Sequence, residues 1–241
     1  MSTLPDSLVP VRQPGSGAGE LAAVLFDMDG TLIDTERLWF ESEREVTEGL
    51  GGSWSQADQE MLVGGSARGA ARYIIELTGA SESEEAVMRR LADAMERRLR
   101  HDEVRLMPGA AELLAEVRAA GVPAALVTST HRRLLTASLE TLGAHHFDLT
   151  IAGDEVAANK PDPEAYLTAA RRLGVDPARC VVLEDSFNGV NAGQAAGCVT
   201  VAVPSLLHIP PAPGRVVVGS LTEIDLEWLR ELVRGWDGAA G

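Results

Sequence analysis

The stretch Phe26-Asp27-Met28-Asp29-Gly30-Thr31-Leu32 follows an apolar run, Leu21–Leu25, and comes just before a third acid, Asp34. An apolar run ending in two carboxylates at i and i+2 reads as a buried strand that delivers both acids to its C-terminal end. In open α/β sheets that end is where ligands bind. Strand geometry points both acid side chains to one face and Met28 to the other. Two acids held together repel, so a cation must sit between or opposite them, which makes the pair a site. Taken alone, the same residues also fit an acidic turn punctuated by Asp-Gly.

Three further segments bear on that choice. Val122-Pro123-Ala124-Ala125-Leu126-Val127-Thr128-Ser129-Thr130 is an apolar run ending in hydroxyls, and a helical pattern follows from His131 to Leu142. Hydroxyls and free backbone N–H groups at a strand-to-helix turn suit phosphate oxygens, although Ser and Thr are also common helix caps. Asn159-Lys160-Pro161-Asp162-Pro163-Glu164-Ala165-Tyr166 sets Lys160 before a proline, with Pro163 suited to the first turn of the next helix. Lys160 is the cation available to offset the clustered carboxylates. Cys180-Val181-Val182-Leu183-Glu184-Asp185 is another buried-strand run ending in adjacent acids, followed by Ser186-Phe187-Asn188-Gly189. Hard oxygen ligands at a strand end, added to Asp27 and Asp29, describe a Mg²⁺ site that also uses substrate phosphate. Either acid could instead cap the helix from Phe187 to Ala196.

DxDGT after a hydrophobic strand, together with these three segments in this order, resembles the haloacid dehalogenase (HAD) superfamily. Most of its members are phosphatases acting through an aspartyl-phosphate. Within it the chain resembles bacterial sugar phosphatases and β-phosphoglucomutase-like proteins with a helical cap. The resemblance implies that Asp27 is the nucleophile and Asp29 the acid–base, and that the Thr128 hydroxyl, the Ser129 amide and Lys160 bind the phosphoryl group. It also implies Mg²⁺ ligation by Asp27, the backbone carbonyl of Asp29, and Asp185, with Glu184 bound directly or through a water.

The strand-like runs Ala22–Asp27, Pro123–Thr128, Leu149–Gly153, Cys180–Glu184, Val199–Val203 and Val216–Val218 alternate with helical segments. Those helices are expected at Gly109–Ala120, Arg132–Leu142, Pro163–Leu173, Asn188–Ala196 and Asp225–Arg234. This rhythm predicts an α/β fold, a Rossmann-like parallel sheet with helices on both faces. Between Asp34 and Leu106 the pattern is helical, at Glu36–Leu50, Ser55–Leu62, Arg68–Leu77 and Ser83–His101, with no strand signal. The expected organisation is therefore a disordered tail over 1–20, a catalytic core over 21–34 and 107–241, and an inserted all-helical cap over 35–106.

A hydrophobic content of 45% and charged content of 24% fit a soluble globular chain, and a formal net charge of −15 argues against nucleic-acid or anionic-membrane partners. The expected partner is a small phosphorylated metabolite, and the expected assembly a monomer or weak dimer. No apolar run approaches membrane-spanning length and the first twenty residues lack a signal-peptide pattern, so a cytoplasmic location is expected. Cys180 and Cys198 read as small core residues. His131, His145 and His146 show no ligand spacing with the carboxylates.

In the cap, Arg89, Arg90, Arg97, Arg98 and Arg100 alternate with Glu82, Glu84, Glu85, Asp93 and Glu96, which reads as a salt-bridged solvated face. Trp39 and Trp54 read as core aromatics. Gly64-Gly65-Ser66-Ala67-Arg68 resembles a lid loop in which relatives carry a substrate-contacting arginine; here Ala67 stands at that position and Arg68 follows it. The leading function is a Mg²⁺-dependent phosphatase for a small phosphomonoester, a sugar phosphate foremost. The alternatives are a β-phosphoglucomutase-like isomerase and a catalytically silent interaction protein on the same scaffold. Trp39 where such mutases carry a histidine, and Thr31 where they commonly carry valine, favour hydrolysis.

Overall fold

The apolar runs become strands because both of their faces are covered. In a computed structural model, which describes residues 19–62 and 67–236, the elements follow in order. They begin with β1 (Ala23–Phe26), β2 (Ile33–Asp34), α1 (Glu36–Gly49), α2 (Gln56–Leu62), α3 (Ala67–Thr78), α4 (Glu84–His101) and β3 (Arg105–Leu106). Then come α5 (Ala110–Ala119), β4 (Ala124–Val127), α6 (Arg132–Leu142), β5 (Leu149–Ile151), α7 (Glu164–Leu173) and β6 (Cys180–Glu184). The chain closes with α8 (Phe187–Ala195), β7 (Val199–Ala202), β8 (Arg215–Val217) and α9 (Leu226–Gly235). Most of the tail expected over 1–20, and Gly64–Ser66 of the lid loop, lie outside the described residues.

The main sheet is parallel throughout, in the order β5-β4-β1-β6-β7-β8. Along β1 the side chains alternate between two cores. Val24 and Phe26 pack with Leu113 of α5, Leu135 of α6 and Leu229 of α9, whereas Ala23 and Leu25 pack with Tyr166 and Ala169 of α7 and Ala192 of α8. Such burial stabilises by about 1.5–3 kcal/mol for each large apolar side chain, which accounts for unbroken apolar runs in place of alternation. Cys180 and Cys198 are free thiols buried in the second of these cores.

From β1 the chain builds outward through β4 and β5, then crosses back to start again on the other side of β1 with β6. The direction of winding thus reverses between β1 and β6, which opens a crevice at the C-terminal strand ends. Phe26 pairs with Leu126 on one side and Leu183 on the other, so the residues that follow these three leave the sheet at one level.

The helices α1 to α4 lie between β2 and β3. Contrary to the sequence reading, strand pairing occurs here: β2 and β3 are antiparallel, Ile33 opposite Leu106 and Asp34 opposite Arg105. Two-residue strands carry no measurable period, so only the fold reveals them. The helical unit has its own core of Val46, Trp54, Ala71, Ile74, Val87 and Leu91, with the Trp54 ring edge-on to Tyr73 at 5.9 Å. It also rests on the sheet domain, where Leu38, Met95 and Leu99 pack with Leu134 and Ala137 of α6. Arg133 of α6 reaches back to Asp93 at 2.6 Å and to Glu96.

The arginine-rich face of α4 is salt-bridged as expected, with Arg90 2.7 Å from Glu82 and Arg98 2.8 Å from Glu45. Ser83 Oγ caps the helix by accepting from the Ala86 N–H. Among the described residues no helix is long and apolar enough to cross a membrane.

Candidate active site

Asp27 stands directly after β1, and its N–H donates to the Leu183 carbonyl at 3.0 Å. The sheet register therefore sets it beside Glu184, the last residue of β6. Lys160 comes in from the loop before α7 and bridges them, its Nζ 2.7 Å from Asp27 Oδ1 and 2.7 Å from Glu184 Oε1. A third donation, to the Val127 carbonyl at 2.8 Å, fixes the ammonium at the end of β4. Its side chain is 4% exposed. Burial works against its charge, but the Asp27 and Glu184 carboxylates more than offset this and raise its pKa.

Glu184 is completely buried and fully engaged. Oε1 also accepts from the Tyr166 hydroxyl at 3.0 Å, and Oε2 accepts from the N–H and hydroxyl of Ser186 at 3.1 and 3.0 Å. Gly189 makes this possible, since a Cβ there would stand 1.6 Å from Glu184 Oε1. Ser186 Oγ in turn caps α8 by accepting from the Gly189 N–H.

Asp29 sits in a different environment. Thr35 and Thr130 hydroxyls each donate to it at 2.8 Å, and the Thr128 hydroxyl does so at 3.4 Å. Burial raises its pKa, while these three hydrogen bonds and Lys160 pull it back. Asp185 follows β6, and its Oδ2 accepts from Ser205 at 2.7 Å. Burial, reinforced by repulsion from Glu184, pushes its carboxyl up to about 7. Gly30 lets it approach the first loop: its φ of 81° is in the left-handed region, and a Cβ there would lie 2.1 Å from Asp185 Oδ2.

Carboxylate oxygens of Asp27, Glu184 and Asp185 lie within 4.8 Å of one another. Burial, and after it repulsion from Glu184, holds Asp27 well above the usual carboxylate range, against the pull of Lys160. Three acids around a single ammonium leave the site short of positive charge, and the donors are all oxygens. Such a set fits a hard divalent cation.

A family model described as "Haloacid dehalogenase-like hydrolase" matches residues 24–203, which contain every residue of this site but Ser205. The chain belongs to the haloacid dehalogenase-like hydrolases. A phosphorylated carbohydrates phosphatase of Thermotoga maritima is 36% identical over 178 residues, covering 73% of this chain and 82% of that protein. The Escherichia coli fructose-1-phosphate phosphatase YqaB is 35% identical over 185 residues, covering 76% and 96%. A solved structure of CbbY from Rhodobacter sphaeroides in complex with phosphate has a TM-score of 0.78 at 30% identity, covering 87% and 99%.

The fold thus brings together Asp27, Asp29, Thr128, Lys160, Glu184 and Asp185, with Ser129 exposed at the end of β4. Five members of the network went unassigned in the sequence: Thr35, Thr130, Tyr166, Ser186 and Ser205. Thr130, Tyr166 and Ser186 lie inside the quoted motifs and Thr35 three residues after the first, but a hydroxyl carries no signal of which carboxylate it will meet. Ser205 lies in none of them. Trp54 is core as expected, whereas Trp39 is only half-buried, against the contact between the helical unit and α6. Arg68 pairs with Glu84 at 2.9 Å and Glu85 at 3.5 Å.

Proposed function

We propose that the chain is a Mg²⁺-dependent phosphatase that hydrolyses a small phosphomonoester, a sugar phosphate foremost, through an aspartyl-phosphate on Asp27. The observation that carries this reading is the contrast between two acids of one motif. Asp27 Oδ1 is tied to an ammonium, while Asp29 has only hydroxyl partners. An ion-paired carboxylate beside one held by hydroxyls alone supports a nucleophile and an acid–base partner in one site.

In this reading Asp27, the Asp29 main-chain carbonyl and Asp185 hold the metal ion. Glu184, with all of its lone pairs occupied, stands behind them and reaches the ion through a water at most. The bound ion supplies charge neutralisation between the phosphoryl oxygens and the attacking carboxylate. Lys160 favours the charged form of Asp27 and orients it for attack on phosphorus. The Thr128 hydroxyl and the Ser129 amide bind phosphoryl oxygens at the end of β4. Asp29 gives its proton to the departing oxygen of the ester, then takes one from the water that cleaves the acyl phosphate. The helical unit, closing over the strand ends, keeps bulk water away from the first step.

The names of the two phosphatase relatives, both acting on phosphorylated sugars, support the substrate class. The test is release of inorganic phosphate from a generic aryl phosphate, which should require Mg²⁺ and cease in excess chelator. Ca²⁺ should restore it poorly, because longer and looser coordination misplaces the nucleophile. Full activity in chelator refutes the metal-assisted mechanism.

A further inference from the structure

One hydroxyl reaches the acidic site from beyond the residues that match the family model: Ser205 Oγ donates to Asp185 Oδ2 at 2.7 Å. The sheet register brings the two together. Glu184, the last residue of β6, pairs with Ala202, the last of β7, so the chain leaves both strands side by side. The loop that carries Ser205 is anchored on either side of it. The Val203 N–H donates to the Glu184 carbonyl at 2.7 Å, and Ile209 is fully buried with Val190 and Ala202. Pro204, directly before Ser205, has its φ locked by the ring. A hydroxyl on so constrained a backbone loses little freedom when it makes its hydrogen bond.

The same carboxylate oxygen is fitted closely against the first loop. A Cβ at Gly30 would lie 2.1 Å from Asp185 Oδ2 and 2.9 Å from Ser205 Oγ, so these three residues meet with no room between them. Asp185 Oδ2 therefore has backbone on one side and a hydroxyl donor on another, and a carboxylate held in this way presents its second oxygen to a cation. Hard cations differ in how they take such a ligand. Mg²⁺ demands near-octahedral geometry with short bonds, which single carboxylate oxygens satisfy, whereas Ca²⁺ takes more oxygens at longer distances and accepts both oxygens of one carboxylate. Groups that orient a ligating side chain from behind affect metal affinity by about 10–100-fold.

We propose that Ser205 is a positioning residue that holds Asp185 to coordination through one oxygen and thereby favours Mg²⁺ over Ca²⁺ in this site. The inference rests on the metal-assisted reading above and deepens it, by giving the choice of cation to a residue outside the matched span 24–203.

The test is titration calorimetry of the full chain with Mg²⁺ alone and with Ca²⁺ alone, for the wild type, Ser205→Ala and Ser205→Thr. Ser205 is exposed, so neither substitution disturbs the core. In Ser205→Ala the Mg²⁺ dissociation constant should rise by about tenfold or more while the Ca²⁺ constant stays near its wild-type value, because Ca²⁺ can use the oxygen that the hydroxyl releases. Ser205→Thr, which keeps the hydroxyl, should restore the Mg²⁺ constant. Equal weakening of both cations in Ser205→Ala overturns the inference, since a residue that merely supports the loop would act on both alike. A Mg²⁺ constant unchanged in Ser205→Ala overturns it too. Mg²⁺-dependent turnover of p-nitrophenyl phosphate by the wild type keeps the two readings apart. Where it persists, either result removes only the role of Ser205. Where it is absent and the wild type binds no Mg²⁺, the metal-assisted reading falls and this inference with it.

Discussion

Lys160 Nζ and Glu184 Oε1 lie 2.7 Å apart with neither side chain more than 4% exposed, and the same ammonium is equally close to Asp27. The sharing makes the two partners unequal. Glu184→Gln leaves Lys160 paired with Asp27 and relieves repulsion among the acids. Lys160→Met leaves two buried carboxylates without their cation. Orphaning a buried charge costs about 3–5 kcal/mol, whereas the Glu184→Gln amide keeps one accepting oxygen and loses the acceptor for the Ser186 N–H, which costs about 1–3 kcal/mol. In denaturant unfolding without metal, Lys160→Met should therefore lose clearly more stability than Glu184→Gln. Equal losses would mean that Asp27 does not share the ammonium.

Asp27→Asn separates chemistry from folding. The amide has nearly the same shape but is a poor nucleophile, so turnover should fall by at least about 10³-fold. Stability should hold or rise in the absence of metal, because one of three mutually repelling acids is gone. Phosphate release near the wild-type rate at matched Mg²⁺ would rule out attack by Asp27.

Much of this site was legible in the sequence because a parallel sheet writes its function at fixed places. The runs ending at Asp27, Thr128 and Glu184 are apolar on both faces, which marks them as central strands, and the polar residues after them must emerge at one edge. Helix limits were legible too: Arg132–Leu142 matches its observed span, and the other helices differ by a residue or so at either end. The β2–β3 pair was not, because Ile33 and Leu106 meet across 72 intervening positions of sequence, with two residues a side and no turn between them. The full engagement of Glu184 was equally hidden. Beside Asp185 in sequence it has the composition of a metal ligand, and only the positions of Tyr166, Lys160 and Ser186 reveal how many of its lone pairs are taken.

Glu43 should impose a pH dependence on stability that has nothing to do with the strand ends. Burial, with repulsion from Glu36 added, raises its pKa from the ordinary 4.5 to about 8, against a hydrogen bond from Gln59. The native state thus holds this proton more tightly than the unfolded chain does. Its contribution is fully present below the unfolded value, and stability is lost as pH rises toward the folded one. Glu43→Gln removes this loss. The variant should gain on the wild type between pH 5 and pH 8, by on the order of 2 kcal/mol at the upper end. Urea midpoints of both proteins at the two pH values give the answer, since groups common to both cancel. A constant difference between them would mean that Glu43 titrates as an ordinary surface acid.

The choice between hydrolase and mutase turns on whether the aspartyl-phosphate meets water or a second hydroxyl. A phosphoglucomutase must keep its phosphorylated aspartate until a bisphosphorylated sugar has turned around, and it needs a group that ties sugar binding to proton transfer. Position 39 cannot be that group here. Trp39 has no proton to exchange at neutral pH, and it packs beside Leu38, Met95 and Leu99 where the helical unit meets α6. Asp29, by contrast, is held by the hydroxyls of Thr35, Thr130 and Thr128, and position 39 reaches this set only through its backbone N–H, which donates to the Thr35 carbonyl at 3.0 Å and offers no exchangeable side-chain proton. Supplied with β-glucose 1-phosphate and a trace of glucose 1,6-bisphosphate, the protein should release inorganic phosphate with little glucose 6-phosphate. Both products can be followed in one time course by coupled assay. Glucose 6-phosphate accumulating well ahead of phosphate would replace the phosphatase with an isomerase, on the same residues and the same fold.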